Sequence, residues 1–183
     1  SAFDRAEELK RVPPAAGAVA DAPRTERPMT GFAPAVEQGL RDIAAADRRF
    51  DLLGFLEGAR GAYQMALEAY WRGDKEELAQ LCDTDVLESF SAAIAEREAA
   101  GHKLDNRLIR IEDVTVHSAM LDGQTARIAL RFVADIAAVT RDAEGHVIAG
   151  SLDDAVESRD VWTFSRDVRS TGPAWLIDET DEG

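Results

Sequence analysis

Over residues 32–101 the apolar residues recur three and four positions apart, which is the spacing of helices that bury one face. The first such stripe predicts an amphipathic helix over residues 32–46, and the second predicts a helix from about residue 47 to residue 72. Two shorter helices should follow, each opened by an aspartate with a glutamate three residues later, a pair that satisfies backbone N–H groups of a first turn. These pairs are Asp74 with Glu77 and Asp85 with Glu88.

Glycines interrupt the second of these helices. Gly54, Gly58 and Gly61 each weaken a helix by about 1 kcal/mol relative to alanine. Their spacing of four and three therefore predicts close packing against a neighbouring element, or a kink. Gly73 fits a cap at the C-terminal end of the same helix.

After Gly101 the apolar period falls to two, which predicts strands. The apolar parity changes between Ile111 and Val114, so one regular strand cannot bury both residues, and we expect a β-bulge near residues 112–113. Further strands should follow in antiparallel order, with an interruption at residues 150–154. Helices first and a meander afterwards predict an α+β fold, in which a curved sheet wraps against amphipathic helices and forms a cone with one open, apolar end.

Aromatic residues supply the candidate pocket. Trp162 and Phe164 alternate with polar residues, so both should face the concave interior, opposite the helix that carries Tyr63 and Tyr70. Side chains of this interior are core and candidate pocket wall together. The set is Tyr63, Leu67, Tyr70, Phe90, Leu130, Phe132, Trp162, Phe164 and Trp175.

Charge narrows the classes of partner. The chain carries a net charge of −14, and all of it comes from residues 50–183, which hold thirteen basic and twenty-seven acidic side chains. Repulsion from phosphates argues against nucleic acid and a ribosome-associated role, and against anionic lipid outside a local basic patch.

Three further features bound the organisation of the chain. Residues 11–35 hold five of the six prolines, which predicts a flexible linker over residues 1–31, while residues 181–183 form a short tail. The single cysteine, Cys82, rules out an intrachain disulfide and fits a reducing compartment. No apolar run approaches the roughly 18–20 residues that a membrane-spanning helix needs.

Catalytic chemistry has few candidates. The three histidines have no partners at ligand spacing, and no phosphate loop or nucleophile elbow is present, so we expect no metal and no cofactor. Asp160, which shares parity with Trp162, could act as a general base inside a cone, with Tyr63 and Tyr70 as further candidates. The alternative for Asp160 is a cross-strand ion pair with Arg127 or Arg131.

The helical stretch FDLLGFLEGARGAYQMALEAYWRGDKEELAQLCDTDVLESFSAAIAEREAAG resembles the first half of the Tim44-like domain. The sheet half fits through ARIALRFVADI, GHVIAGSLDDAVESRDVWTFSRDV and PAWLIDET, so the resemblance covers residues 47–180. Its marks in the helical half are Phe50-Asp51, Phe55-Leu56, Ala59, Tyr63, Gly73-Asp74, Leu78, Leu81, Phe90, Ile94 and Arg97.

This resemblance implies a cone of the nuclear-transport-factor-two-like group with a large apolar pocket, in a family whose mitochondrial form associates with membrane and cardiolipin through the N-terminal helices of the domain. Bacterial relatives carry a membrane helix followed by a linker. We therefore expect a bacterial, inner-membrane-associated protein whose anchor precedes this chain, with the domain on the cytoplasmic side. The candidate membrane surface is Phe32, Val36, Leu40, Arg41, Ile43, Arg48 and Arg49, and the equal alternative is that this helix packs on its own domain.

The resemblance and the missing catalytic set together predict a non-catalytic binding and scaffold domain, linked to protein translocation or membrane-protein assembly. Its partners would be membrane lipid or an envelope or translocase protein, and its pocket would take a lipid chain or an apolar peptide. The alternative function is a small-molecule-binding or isomerase-like or dehydratase-like enzyme of the same cone fold. The oligomeric state is not predicted.

Overall fold

A computed structural model describes residues 31–182 as helices followed by an antiparallel sheet, which confirms the predicted α+β order. The helices are α1 (Pro34–Ala46), α2 (Leu52–Arg72), α3 (Lys75–Leu81) and α4 (Thr84–Ala99). The strands are β1 (Lys103–Leu104), β2 (Arg107–Asp122), β3 (Thr125–Arg141), β4 (Val147–Asp167) and β5 (Leu176–Glu182). The predicted linker lies, up to residue 30, outside the described residues.

Strand β3 is the centre of the sheet. It pairs with β4 on one side and with β2 and then β1 on the other, and β5 pairs with the far side of β4. The β2–β3 register shifts between Ile111 and Asp113, which confirms the predicted bulge at residues 112–113. Because a bulge bends its strand and increases the local twist, the irregularities along β2 help the sheet to curve around the helices.

The interruption predicted at residues 150–154 is a bulge within the long strand β4. Ala137 pairs with Ala155, and the next pair joins Val139 to Gly150, so the intervening residues of β4 have no partner on β3. Gly150 has φ +82°, and a side chain there would collide with the carbonyl oxygen of Ala138. Only glycine combines that backbone angle with so close an approach.

Helix α2 begins at Leu52, five residues later than predicted. The carboxylate of Asp51 accepts a hydrogen bond from Gly54 N at 2.9 Å and so caps the first turn. At the other end Gly73, with φ +79°, ends the helix as predicted. The displaced start leaves Asp47 in the turn between α1 and α2, where its side chain is buried.

The cap of α4 is Asp83, two residues before the predicted Asp85. The carboxylate of Asp83 accepts from Val86 N at 3.0 Å, while its own backbone N–H donates to Ile177 O at 2.9 Å. That bond to β5 holds Asp83 beside the strand with an extended backbone, and the helix begins directly after it at Thr84. Strand β5 also runs to Glu182, so the predicted tail from residue 181 begins too early.

Helix α2 lies in the concave face of the sheet and fills it with rings. Tyr63 stacks on Phe132 with centroids 4.1 Å apart, and Trp162 lies 4.8 Å from Tyr63. Trp162 and Phe164 are both fully buried, as their alternation along β4 predicts. The rings that the sequence assigns to the interior therefore form the core of the cone.

Helix α1 packs against β2. Its apolar residues Val36, Leu40 and Ile43 are buried in the core, and Gly39 is buried with them. A side chain at Gly39 would collide with the carbonyl oxygen of Ala119 in β2. This close approach of two backbones fixes α1 on the domain.

Candidate functional site

A groove of about 400 Å³ lies at the N-terminal end of α2, between this helix and the segment that joins β4 to β5. Its wall is largely apolar or made of glycine, with a few charged side chains. The lining residues are Asp47, Arg49, Phe50, Asp51, Gly54, Phe55, Gly58, Ala59, Ala62, Phe164, Arg166, Pro173, Ala174 and Trp175.

Aromatic rings form one side of the groove. The Trp175 ring lies 4.6 Å from Phe55 and 6.1 Å from Phe50, measured between centroids. Phe55 in turn meets Phe164 edge to face at 5.9 Å, so the groove wall is continuous with the core. Trp175 is half-buried and presents ring surface that an apolar ligand could cover.

Glycine provides the space on the α2 side. A side chain at Gly58 would meet no atom within 4 Å, and the same holds for Gly61 one turn later. The predicted close packing is therefore wrong at both positions. Gly58 faces the groove, whereas Gly61 faces a separate hollow beside β2.

A buried ion pair fixes the floor of the groove. Arg166 Nε lies 3.1 Å from Asp47 Oδ2, and both side chains are more than nine-tenths buried. The same guanidinium donates to the backbone carbonyls of Ser170, at 3.0 Å, and of Gly172. The pair thus ties the turn after α1 to the segment that follows β4.

The remaining charged side chains of the wall are also engaged in structural bonds. Arg49 donates to the carbonyls of Ser170 and Thr171, both at 3.1 Å. Asp47 also accepts from Arg49 N at 3.0 Å, and Asp51 caps α2. Each ionisable group that lines the groove, among the described residues, therefore already has a partner that holds the groove together.

Of the nine predicted pocket residues, only Phe164 and Trp175 line this groove. The other seven are buried in the core, where α2 fills the concave face. They are Tyr63, Leu67, Tyr70, Phe90, Leu130, Phe132 and Trp162. Sequence reasoning did not identify Gly58 or Pro173 as wall residues, although the run of glycines at helical spacing marked the helix that forms the groove.

The predicted membrane-surface residues separate into two groups. Val36, Leu40 and Ile43 are buried against β2, Phe32 is half-buried, and only the arginines are exposed. Arg41 pairs with Glu37 at 3.2 Å. The described conformation is thus the alternative in which the helix packs on its own domain.

The predicted catalytic candidates Tyr63, Tyr70 and Asp160 are buried, and none of them lines the groove. Asp160 is buried and accepts a hydrogen bond from Ser158 Oγ at 2.7 Å. Arg127 forms an ion pair with Asp178 of β5. Burial raises the pKa of the Cys82 thiol to about 12, so this cysteine stays protonated and a poor nucleophile at neutral pH.

Two further properties concern metals and membranes. Within residues 31–182 no three histidine, cysteine, aspartate or glutamate side chains cluster closely enough to hold a metal ion. In the same part of the chain, none of the helices combines the length and the apolar character needed to cross a bilayer.

Comparisons with known proteins agree on one family. The profile of the Tim44-like domain matches residues 36–182. The chain is 27% identical over 113 residues to mitochondrial import inner membrane translocase subunit TIM44-1 of Arabidopsis thaliana, which covers 62% of this chain and 24% of that protein. It is 26% identical over 141 residues to the probable mitochondrial import inner membrane translocase subunit tin-44 of Caenorhabditis elegans, which covers 76% of this chain and 33% of that protein.

A bacterial relative and a solved structure extend this picture. An uncharacterized protein of Rickettsia prowazekii is 25% identical over 143 residues, which covers 78% of this chain and 58% of that protein. The chain thus spans between about a quarter and three-fifths of the length of these three relatives. The intermembrane space region of the chloroplast protein ARC6 shares the fold, with a TM-score of 0.51 and 18% identity over 73% of this chain and 97% of that chain.

Proposed function

The chain belongs to the Tim44-like domain family, and from this premise we propose that it is a non-catalytic binding domain of an inner-membrane-associated protein, linked to protein translocation or membrane-protein assembly. Two of its relatives carry the name of an import translocase subunit of the inner membrane, which supports this assignment. Because the chain aligns with only part of each relative, we propose a role for the domain alone.

The groove is the observation that carries the proposal. Its aromatic side offers apolar contact, and its charged residues are used in holding the wall together. A ligand there gains little from ion pairing and mostly from burial of apolar surface, at about 25 cal/mol per Å². We infer that the groove takes an apolar side chain of a partner polypeptide or a lipid acyl chain.

The enzymatic alternative has less support from the geometry. Catalysis in a cone needs an ionisable group that reaches a bound substrate. Asp160 and Tyr63 are buried in the core and do not line the groove. Those ionisable groups that do line it, such as Asp47 and Arg166, are fixed in structural bonds.

The proposed place of the domain is the cytoplasmic side of an inner membrane. The names of the translocase relatives support the membrane. The single buried cysteine is compatible with a reducing compartment. Membrane lipid and an envelope or translocase protein remain the proposed partners.

Filling the groove tests its role. Gly58→Leu places a side chain into the groove without meeting a neighbouring atom at its Cβ, and Gly61→Leu is the matched control on the same helix, outside the groove. A brominated fatty acid methyl ester and a short apolar peptide amide with a brominated side chain serve as probes, because bromine quenches a nearby indole, Trp175 lies in the wall, and neither probe carries a carboxylate. We expect at least one probe to quench Trp175 fluorescence in the unsubstituted chain and in Gly61→Leu, and not in Gly58→Leu.

Crosslinking from native membranes identifies the partner. A photoreactive amino acid at Ala62, in the groove wall, should capture an envelope protein or phospholipid, and the Gly58→Leu substitution should abolish the capture. The proposed function is wrong if neither probe quenches Trp175 and no envelope component is captured.

A further inference from the structure

A second cavity lies at the opposite end of α2. It has a volume of about 370 Å³ and lies among the C-terminal ends of α2 and α4, strand β1 and the turn between β3 and β4. Its wall combines apolar surface with basic side chains. The lining residues are Trp71, Arg72, Arg97, Glu98, Gly101, His102, Lys103, Leu104 and Ala143.

Arg97 is the buried cation of this cavity. Arg97 is 8% exposed, and its Nη2 donates to the backbone carbonyls of Tyr70, at 2.6 Å, and of Trp71, at 2.9 Å. The guanidinium also lies 4.8 Å from the centroid of the Tyr70 ring. Arg97 thus contacts the negatively polarised C-terminal end of α2 and the face of the Tyr70 ring. Both hydrogen bonds come from the same guanidinium nitrogen, Nη2.

The other terminal nitrogen of Arg97 lacks a partner. Within the part of the chain described, no ion pair joins Arg97 to a carboxylate, and its Nη1 donates to no acceptor. A buried charge is normally paired, because its removal from water is costly. Arg97, which lines the cavity, therefore carries a positive charge with one N–H donor group that has no partner.

Trp71 adds a second such donor. Trp71 is 5% exposed, and among residues 31–182 its Nε1 has no hydrogen-bond partner. A buried indole N–H usually has a partner. Two residues that line the same cavity therefore each carry a buried N–H donor without a partner.

We propose that this cavity binds a carboxylate carried on an apolar body. The donors of Trp71 and Arg97 match the two oxygens of a carboxylate in number, and Lys103 adds positive charge at the wall. Leu104 and Ala143 provide the apolar surface. Glu98 also lines the cavity and disfavours a dianion such as phosphate more strongly than it disfavours a singly charged carboxylate.

Such a carboxylate can come from the C-terminus of a polypeptide or from a small organic acid. The chemistry of recognition is the same for both, so different probes are needed to separate them. The proposal does not depend on the groove at the other end of α2, because no lining residue is common to the two cavities.

Titration by NMR tests the proposal through the indole N–H resonance of Trp71. The probes are an N-acetylated Ala-Ala-Phe tripeptide with a free carboxylate, the same tripeptide as its amide, phenylacetate and inorganic phosphate. We expect the free-acid tripeptide, phenylacetate or both to shift the Trp71 resonance saturably, and the amide and phosphate to leave it unchanged. Saturation by the tripeptide alone would identify a peptide C-terminus, and saturation by phenylacetate with equal affinity would identify a small organic acid.

Conservative substitutions separate binding from folding. Trp71→Phe keeps a ring but removes the N–H, and should lower the affinity for the carboxylate about tenfold, which is the effect of losing one hydrogen bond to a charged group. For this variant the binding is followed by calorimetry. Trp175→Phe, in the groove, is the matched control and should leave the affinity unchanged.

Three results would overturn the proposal. They are no saturable shift with either carboxylate, equal binding of the acid and the amide, and an unchanged affinity in Trp71→Phe. Arg97→Lys should also weaken binding of the carboxylate. If Arg97→Lys does not fold, the result with Trp71→Phe still decides whether the proposal holds.

Discussion

The two ends of α2 carry cavities of similar size and opposite character. At the N-terminal end the groove has an aromatic wall, and its buried cation Arg166 is paired with Asp47. At the C-terminal end the buried cation Arg97 is held by backbone carbonyls and the ring of Tyr70. In the groove the buried arginine is paired with a carboxylate, whereas in the second cavity two buried N–H donors have no hydrogen-bond partner among the described residues.

This contrast indicates the kind of ligand that each end suits. Where every charged wall residue has a protein partner, a ligand can contribute only apolar surface. Where a buried N–H donor lacks a partner, a ligand that supplies an acceptor removes a desolvation penalty. Cavity size alone does not separate the two, since both are near 400 Å³.

The largest expected effect comes from removing each buried arginine. Arg166→Met leaves the buried carboxylate of Asp47 unpaired and should lower the free energy of unfolding by about 4 kcal/mol. Arg97→Met leaves only backbone carbonyls without their donor and should cost about 2 kcal/mol. Urea denaturation of the unsubstituted chain and both variants at pH 7 measures the two losses of unfolding free energy.

A double variant isolates the ion pair. Asp47→Asn combined with Arg166→Met should recover part of the stability lost in Arg166→Met, because no charge is then left buried. Two results would contradict a difference between the two buried arginines. One is an equal loss of unfolding free energy in Arg97→Met and Arg166→Met, and the other is a double variant that is no more stable than Arg166→Met.

Glycine substitutions test whether the groove beside Gly58 is open space, with Gly39, which is closely packed, as the comparison. Gly39→Ala forces a methyl group toward the carbonyl of Ala119 and should destabilise the fold by about 2 kcal/mol. Gly58→Ala enters free space in the groove and should stabilise it by about 1 kcal/mol through helix propensity. Thermal melts of the two variants should therefore shift in opposite directions, and a destabilised Gly58→Ala would mean that the groove is closed in solution.

The smallest effect concerns a carboxyl pair that lines neither cavity. Burial raises the pKa of Asp178 to about 6, from its ordinary 3.8, and a hydrogen bond with the Asp83 carboxyl adds to the rise, although Arg127 opposes it. The folded chain therefore binds this proton more tightly than the unfolded chain. Its contribution to stability is full below about pH 4 and is lost as the pH rises toward about 6.

Asp83→Asn should reduce this dependence. Asparagine caps α4 as well as aspartate does, but it removes the carboxyl that faces Asp178. We expect a flatter fall in stability between pH 4 and 6 and slightly higher stability at pH 7, measured by urea midpoints across that range. An unchanged slope would show that burial alone sets the pKa of Asp178. Because the pair lines neither cavity, ligand binding at both should remain unchanged.

Much of the fold follows from local patterns. The helices, the bulge at residues 112–113 and the cap at Asp74 were predictable because period, parity and capping act over a few neighbouring residues. The position of the α4 cap at Asp83 was not predictable, since Asp83 N bonds to the carbonyl of Ile177, which lies far along the chain. The interior position of Trp162 followed from strand alternation alone.

The candidate sites were less accessible to sequence reasoning. Gly39 and Gly58 are both glycines within helical patterns, yet one touches a backbone and the other faces open space. Arg97 was one mark of a family resemblance, and its lack of a carboxylate partner becomes visible only where α2 and α4 meet.

The order of the amino acids thus specifies the elements, their buried faces and the acidic character of the domain, because each depends on neighbours within a few residues. Packing determines which polar groups find partners and where space remains between α2 and the sheet. Asp47 with Arg166, and Trp71 with Arg97, are brought together from distant parts of the chain or from different helices. Their chemistry depends on distances that no local pattern encodes.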